Sequence, residues 1–242
     1  MVNFEMNDAN NNSPRYAIYF CPSPDAPLYG QGSQWLGRDA ATGAELDPDL
    51  PRHIQHEEWL RATNSPRRYG FHATLKPPFR LTKDAAYEDL KTALHQFAES
   101  RDSFIAPSLC IGTLGRFIAL TLSTPSDEFQ KLAAECVSEF DRFRAPASDA
   151  ELNKRMRDSL SPREREHILR WGYPYVFDTW KFHMSLTGSL PSEALPLLED
   201  YLCQRFAPVY KEPLLVDSIC IFYESQPGAQ FRLLDRVCLR SS

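Results

Sequence analysis

Hydrophobic residues follow two rhythms along this chain, and the order of the two repeats. Short runs rich in aromatic and branched side chains predict strands. They are "RYAIYF" (15–20), "FHATL" (71–75), "PSLCIGTL" (107–114), "RFIALTLS" (116–123), "FHMSL" (182–186), "DSICIFYE" (217–224) and "FRLLDRVCL" (231–239). Segments with apolar residues at helical spacing lie between them. These cover 47–63, 83–100 (Tyr87, Leu90, Leu94, Phe97), 127–143, 161–180 and 188–206 (Leu195, Leu198, Leu202). Ser161 followed by Pro162 and Glu164 has the spacing of a capping box, and Ser192 or Pro191 opens the last helical pattern.

Phe-His-x-(Thr/Ser)-Leu occurs twice, and each copy is followed by a helix and then two strands. Ser108-Leu109-Cys110-Ile111 in the first half has a counterpart in Ser218-Ile219-Cys220-Ile221 in the second. Motif, helix and strand recur at a nearly constant offset, which predicts two pseudo-symmetric lobes. A solenoid would need three or more shorter repeats. The expected fold is α+β, a bilobal domain over 15–242 with two antiparallel-rich sheets lining a central groove and helices outside. Residues 1–14, "MVNFEMNDANNNSP", read as a disordered leader without a secretory signal.

Side chains alternate faces along a strand, so each motif sorts its residues. Phe71, Ala73 and Leu75 share an apolar face, as do Phe182, Met184 and Leu186. The opposite face carries Arg68, Gly70, His72, Thr74 and Lys76 in one motif, and Lys181, His183, Ser185 and Thr187 in the other. A histidine, a hydroxyl two residues on and a nearby cation suit a phosphoester. One imidazole activates water, the other protonates the leaving oxygen, and hydroxyls and cations hold the non-bridging oxygens.

Composition narrows the field. The net charge is −5, from 27 basic and 32 acidic side chains, which argues against a protein that coats long nucleic acid. No apolar run approaches the length of a membrane span. The six cysteines form no CxxC pair and read as reduced, mostly buried thiols of a cytoplasmic protein. His53, His56 and Glu57 depart from the H-E-x-x-H zinc pattern, and no metal or other cofactor is expected. His95 and His167 read as solvated or helix-face residues, the basic stretch 153–166 as a solvated helix face, and the aromatic loop Trp171–Tyr175 as core packing or as a lid over the cleft that stacks on a base or sugar, with packing favoured.

The paired H-x-(T/S) motifs in duplicated lobes resemble the 2H phosphoesterase superfamily, which includes RNA-ligase-like and 2′,3′-cyclic phosphodiesterases. The stretches "RRYGFHATLKPPF" and "GYPYVFDTWKFHMSLTG" resemble more narrowly a bacterial branch encoded beside carbon–phosphorus lyase genes for phosphonate breakdown. The resemblance implies catalytic roles for His72 and His183 and phosphate-binding hydroxyls at Thr74 and Ser185. It leaves open which histidine is the acid. Lys76, Lys181, Arg68 and Tyr69 join them as expected substrate contacts from their places beside the motifs. The implied activity is metal-independent hydrolysis of a cyclic phosphate or related diester on a small nucleotide or phosphosugar. An RNA-end phosphodiesterase and a non-catalytic nucleotide or phosphosugar sensor are the alternatives. Protein partners are not indicated.

Overall fold

The computed structural model describes residues 13–52 and 54–241, so most of the expected leader lies outside the described residues. Eight strands form one sheet in the order β6-β3-β4-β5-β2-β1-β7-β8. In chain order these are β1 (Arg15–Phe20), β2 (Ala73–Phe79), β3 (Phe104–Leu114), β4 (Phe117–Leu122), β5 (Met184–Ser185), β6 (Pro213–Val216), β7 (Ser218–Glu224) and β8 (Arg232–Cys238). Every pairing between them is antiparallel. The α+β class is as expected, and the two expected sheets are joined edge to edge through the motif strands β2 and β5.

The helices are α1 (Pro27–Leu36), α2 (His56–Tyr69), α3 (Tyr87–Glu99), α4 (Asp127–Glu139), α5 (Asp149–Arg155), α6 (Pro162–Trp171) and α7 (Leu195–Tyr210). The helix expected over 47–63 starts only at His56 and continues to Tyr69, because Pro51 and the loop before it do not extend the pattern. The last helix opens at Leu195, later than Pro191 or Ser192, with a proline in its first turn. Ser161 and Glu164 cap α6 reciprocally, Ser161 N–H donating to Glu164 at 2.7 Å and Glu164 N–H to Ser161 at 3.2 Å. None of the described helices is long and apolar enough to cross a membrane.

The pairing order repeats within the sheet, but the repeat does not divide where the strand pattern put it. β4 pairs with β5 as β1 pairs with β2, and β3 flanks β4 as β7 flanks β1. The repeat therefore runs β1–α2–β2–α3–β3 and then β4–α4-to-α6–β5–α7–β7. The run at 116–123 begins the second unit and does not close the first. Each unit sends its last strand into the other lobe, so β3 lies beside β4 and β7 beside β1.

The core is the helix-covered face of this sheet. Phe71, Ala73, Leu75, Phe182, Met184 and Leu186 are all buried, as strand alternation predicts. Cys21, Cys136 and Cys220 are buried thiols, Cys110 and Cys203 are half-buried and Cys238 is exposed. Gly32 presses α1 onto Phe71, whose ring would stand 2.4 Å from an added β-carbon. Alanine at a helix interior gains about 0.5–1 kcal/mol over glycine, whereas overpacking costs about 1–3 kcal/mol. Gly32→Ala is expected to be net destabilising despite its better helix propensity, measured as a lower urea midpoint.

Candidate active site

The sheet changes lobe at a single ladder pair, Ala73 with Met184. Both residues face the helices and are buried. In an antiparallel pair the residues one step to either side then face the groove together. His72 comes opposite Ser185, and Thr74 opposite His183. The two histidines thus hold diagonal corners of a small rectangle, with β-carbons on the order of 7 Å apart.

Each imidazole is oriented in the same way. His72 Nδ1 lies 2.8 Å from the Gly70 carbonyl, and His183 Nδ1 lies 2.8 Å from the Lys181 carbonyl. A carbonyl only accepts, so both Nδ1 atoms carry hydrogen and both neutral rings present an Nε2 lone pair. His72 Nε2 is 3.3 Å from the Thr74 hydroxyl. Gly70 serves this geometry with φ 81° and ψ 176°, and a β-carbon there would meet that of Ala40 at 2.5 Å. Only glycine fits both constraints.

The His72 ring stacks on Tyr19, centroids 3.7 Å apart and planes inclined by 19°. Burial pulls the His72 pKa down to about 4, the Gly70 carbonyl opposes the shift, and the charge of His183 adds to it. Burial also lowers His183, against the pull of the Lys181 carbonyl. Two imidazoles that repel each other's charge take up one proton before the second. Of the two, His183 is the more open site, so it is the better place for that proton.

His72 opens on a groove of about 320 Å³. Tyr19, Tyr69, His72, Thr74, Tyr173 and Ser185 line it, with Ser65, Pro77, Pro78, Phe117 and Thr187 completing the walls. His183 sits at its side, against Phe117, with ring centroids 5.7 Å apart. That volume is at the small end for a ligand site. A larger, more apolar cavity of about 610 Å³ lies beyond Ser189, between α2 and α7, and has no histidine in its wall.

Of the eight residues singled out from sequence, five meet here: His72, His183, Thr74, Ser185 and Tyr69. Three do not. Tyr19 pairs with Thr74 and Ile18 with Lys76, leaving Leu75 as an extra residue. This β-bulge resets the alternation and turns Lys76 toward the helices. There its ammonium is buried, 3.0 Å from Asp141 and 3.1 Å from the Val137 carbonyl. Arg68 belongs to α2, not to a strand, and is engaged by Glu224 and the Ala229 carbonyl. Lys181 is exposed and contributes its carbonyl, not its ammonium.

Tyr19 was not expected at the site, since it reads as one more apolar strand position. Tyr173 belongs to the loop expected to pack or to lie over the cleft, and it lines the groove wall. His167 anchors that loop. His167 lies on α6, as a helix-face residue would, but is buried and not solvated, its Nδ1 3.2 Å from the Pro174 carbonyl and its Nε2 3.3 Å from Asp178. His95, as expected, is a partly exposed helix residue facing Asp235. His53 lies outside the described residues, and among those described no three His, Cys, Asp or Glu side chains gather as a metal-binding group.

Comparison with known proteins places the chain. It belongs to the family described as a protein of unknown function (DUF1045), whose profile matches residues 74–232. It is 36% identical over 231 residues to a Janthinobacterium protein named ribose 1,5-bisphosphate phosphokinase PhnN, covering 92% of this chain and 50% of the relative. A Laribacter hongkongensis protein of the same name is 33% identical over 230 residues, covering 93% of this chain and 52% of the relative. The chain thus spans about half the length of these curated relatives. Among solved structures, E. coli LigT complexed with 3′-AMP matches at TM-score 0.45 and 12% identity, over 93% of this chain and 98% of that one. A structure described as a phosphoesterase matches at TM-score 0.43 and 13% identity, over 94% and 98%. Likeness at this level does not bear on activity.

The buried Lys76–Asp141 pair separates structural from catalytic cations. Asp141→Ala is expected to cost about 3–5 kcal/mol in urea unfolding, because it strands a buried ammonium. Lys76→Met should be far milder and should leave turnover intact. The histidines give a second signature. A folded-state pKa below the unfolded value means the stability from His72 is complete above about pH 6.5 and is lost as pH falls through about 4. The urea midpoint of the wild type should fall across that window more steeply than that of His72→Ala.

Proposed function

We propose that this protein is a phosphoesterase that hydrolyses a cyclic phosphate or related phosphodiester of a small nucleotide or phosphosugar. The observation that carries this reading is the pair of imidazoles at the starts of adjacent strands, each fixed by an Nδ1–carbonyl bond that leaves Nε2 as the atom for proton transfer. Binding alone calls for no two proton-transfer groups, so the arrangement favours an enzyme over a sensor.

His72, the more depressed of the pair in pKa, acts as base. Its Nε2 takes a proton from water as the water oxygen attacks phosphorus. The phosphorus–oxygen bond on the far side breaks, and the protonated Nε2 of His183 gives its proton to the departing oxygen. Thr74 and Ser185 donate to the non-bridging oxygens, where charge accumulates. A cyclic diester opens to one product that carries both the freed hydroxyl and a phosphomonoester, and the two imidazoles return to their starting state by exchange with solvent. No step requires a metal.

The names of the relatives support a sugar substrate. Opening a 1,2-cyclic phosphate on ribose 5-phosphate by cleavage at the 2-oxygen yields ribose 1,5-bisphosphate, the compound in those names. A groove of about 320 Å³ favours such a substrate over an oligonucleotide end, and so does the net charge of −5. A role in phosphonate breakdown agrees with this substrate class.

Hydrolysis of 2′,3′-cyclic nucleotides and of ribose 1,2-cyclic phosphate 5-phosphate, measured in EDTA, tests the proposal. His72→Ala and His183→Ala should each lose about 10²–10⁴-fold in kcat. In the wild type kcat/KM should rise with pH through about 4 as His72 becomes neutral, and fall as His183 loses its proton below 6.5. Turnover that survives both substitutions, or that EDTA abolishes, would refute the two-imidazole mechanism.

A further inference from the structure

The two histidines occupy matching places in the two repeats, and the strands beside them match residue for residue. On β1, Phe20 pairs with Ala73 and Tyr19 with Thr74, while on β4, Leu120 pairs with Met184 and Ala119 with Ser185. Tyr19 and Ala119 are therefore equivalent, each opposite the hydroxyl of its own motif. Their side chains differ in reach. An aromatic ring on a neighbouring strand can meet its diagonal neighbour, whereas a methyl group cannot. The Tyr19 ring lies over the His72 imidazole, centroids 3.7 Å apart and planes inclined by 19°. His183 meets Phe117 instead, two residues before Ala119, at 5.7 Å and inclined by 59°. That contact is tilted and does not cover the face of the imidazole.

The stack has two physical consequences for His72. A ring held against one face resists rotation of the imidazole, so Nδ1 stays on the Gly70 carbonyl and Nε2 beside the Thr74 hydroxyl. The same ring keeps water from that face, and lost hydration disfavours the protonated form. Tyr19 is itself 1% exposed and is backed by Phe222, with ring centroids 5.0 Å apart. Burial holds its phenol well above the ordinary range, so it brings no negative charge to His72. The other groups around the imidazole are the Tyr69 ring on α2 at 6.2 Å and Phe222 on β7 at 5.9 Å. The Cys21 thiol after β1 donates to the Phe71 carbonyl at 3.3 Å, and the charge of His183 opposes protonation of His72. None of these groups is a carboxylate that would favour an imidazolium.

We propose that Tyr19 is a positioning residue that fits His72 for the part of base by covering and orienting its imidazole, and that Ala119 at the equivalent place leaves His183 uncovered for the part of acid. This rests on the two-imidazole reading and deepens it. Two motifs of nearly the same sequence are given different tasks by one position on the strand beside each.

The test follows the acid limb of kcat/KM on ribose 1,2-cyclic phosphate 5-phosphate in the wild type, Tyr19→Phe and Tyr19→Leu. Tyr19→Phe keeps the ring, and its limb should stay near 4. Tyr19→Leu keeps an apolar side chain without the stack, and its limb should move up toward the ordinary 6.5. A limb that reached 6.5 would leave about 3% of His72 neutral near pH 5 instead of about 90%, a loss of about thirtyfold in kcat/KM. A merely loosened fold would not confine its loss to low pH. A limb that stays near 4 in Tyr19→Leu, or that moves equally in Tyr19→Phe, would overturn the role of the ring. NMR titration of the imidazole protons, assigned with His72→Ala and His183→Ala, asks the same question without substrate. In the wild type His72 should titrate below His183, and Tyr19→Leu should bring the two midpoints together. Equal midpoints in the wild type, or an unchanged gap in Tyr19→Leu, would also overturn it. If the substrate is not hydrolysed at all, the phosphodiesterase reading fails by itself, and the NMR titration decides whether Tyr19 sets the two histidines apart.

Discussion

The contact between β2 and β5 is the constraint on which the rest depends. It consists of one ladder pair, Ala73 with Met184, yet it joins the two halves of the sheet and sets which groups meet in the groove. A slip of one residue would exchange the faces of a strand. It would send His72 and Thr74 into the core and bring Phe71 and Ala73 into water. Burial of Phe71, Leu75, Phe182 and Leu186 therefore fixes the register, and with it the site. Because the ladder is so short, other bonds hold the strands in place. Trp180 Nε1 donates to the Thr74 carbonyl at 2.8 Å, and Trp35 Nε1 to the Leu186 carbonyl at 2.8 Å. Gly188 N–H donates to Ala62, and Leu186 N–H to Ile118.

The chain route makes this contact cooperative. Each repeat lends its last strand to the other lobe, so β1 and β2 lie in a sheet completed by β7, and β4 and β5 in one completed by β3. Neither lobe can complete its sheet from a single repeat. The pairing of β1 with β7 joins segments from opposite ends of the described chain. Contacts of such sequence separation form against a large loss of chain entropy. The groove is thus built by the same long-range pairings that complete the fold, which is a physical reason for the paired histidines and hydroxyls to lie where the two repeats meet. There each repeat supplies one histidine and one hydroxyl.

Much of this was legible in the sequence, and the failures have definite causes. Alternation sorted Phe71, Ala73 and Leu75 from His72 and Thr74 because that stretch is regular. It failed at Lys76, where the bulge adds a residue, and Pro77 and Pro78 are its local trace, since proline in a sheet favours bulges and edges. Arg68 was misplaced because the strand was extended backward through a segment that is helical up to Tyr69. Tyr19 carried no signal at all. Its role depends on facing Thr74 across β1 and β2, which only pairing reveals. The repeat boundary was displaced because β4 and β8 both follow a matching strand in sequence, whereas their places in the sheet differ.

The electrostatics of the groove follow from how its cations are held. Both histidines donate to carbonyls of their own segments, whereas Arg68 meets the buried carboxylate of Glu224 as well as the Ala229 carbonyl. A carbonyl positions a donor without cancelling its charge, whereas a carboxylate does both. Lys76 shows the contrast. Asp141 meets its ammonium and in turn accepts from Arg144 at 2.7 Å, so that charge is spent inside the fold. At the histidines the acceptors are backbone carbonyls, while acidic side chains outnumber basic ones over the whole chain and bring it to −5. A protein can in this way be acidic overall and still hold a groove whose local field differs from that of the whole chain.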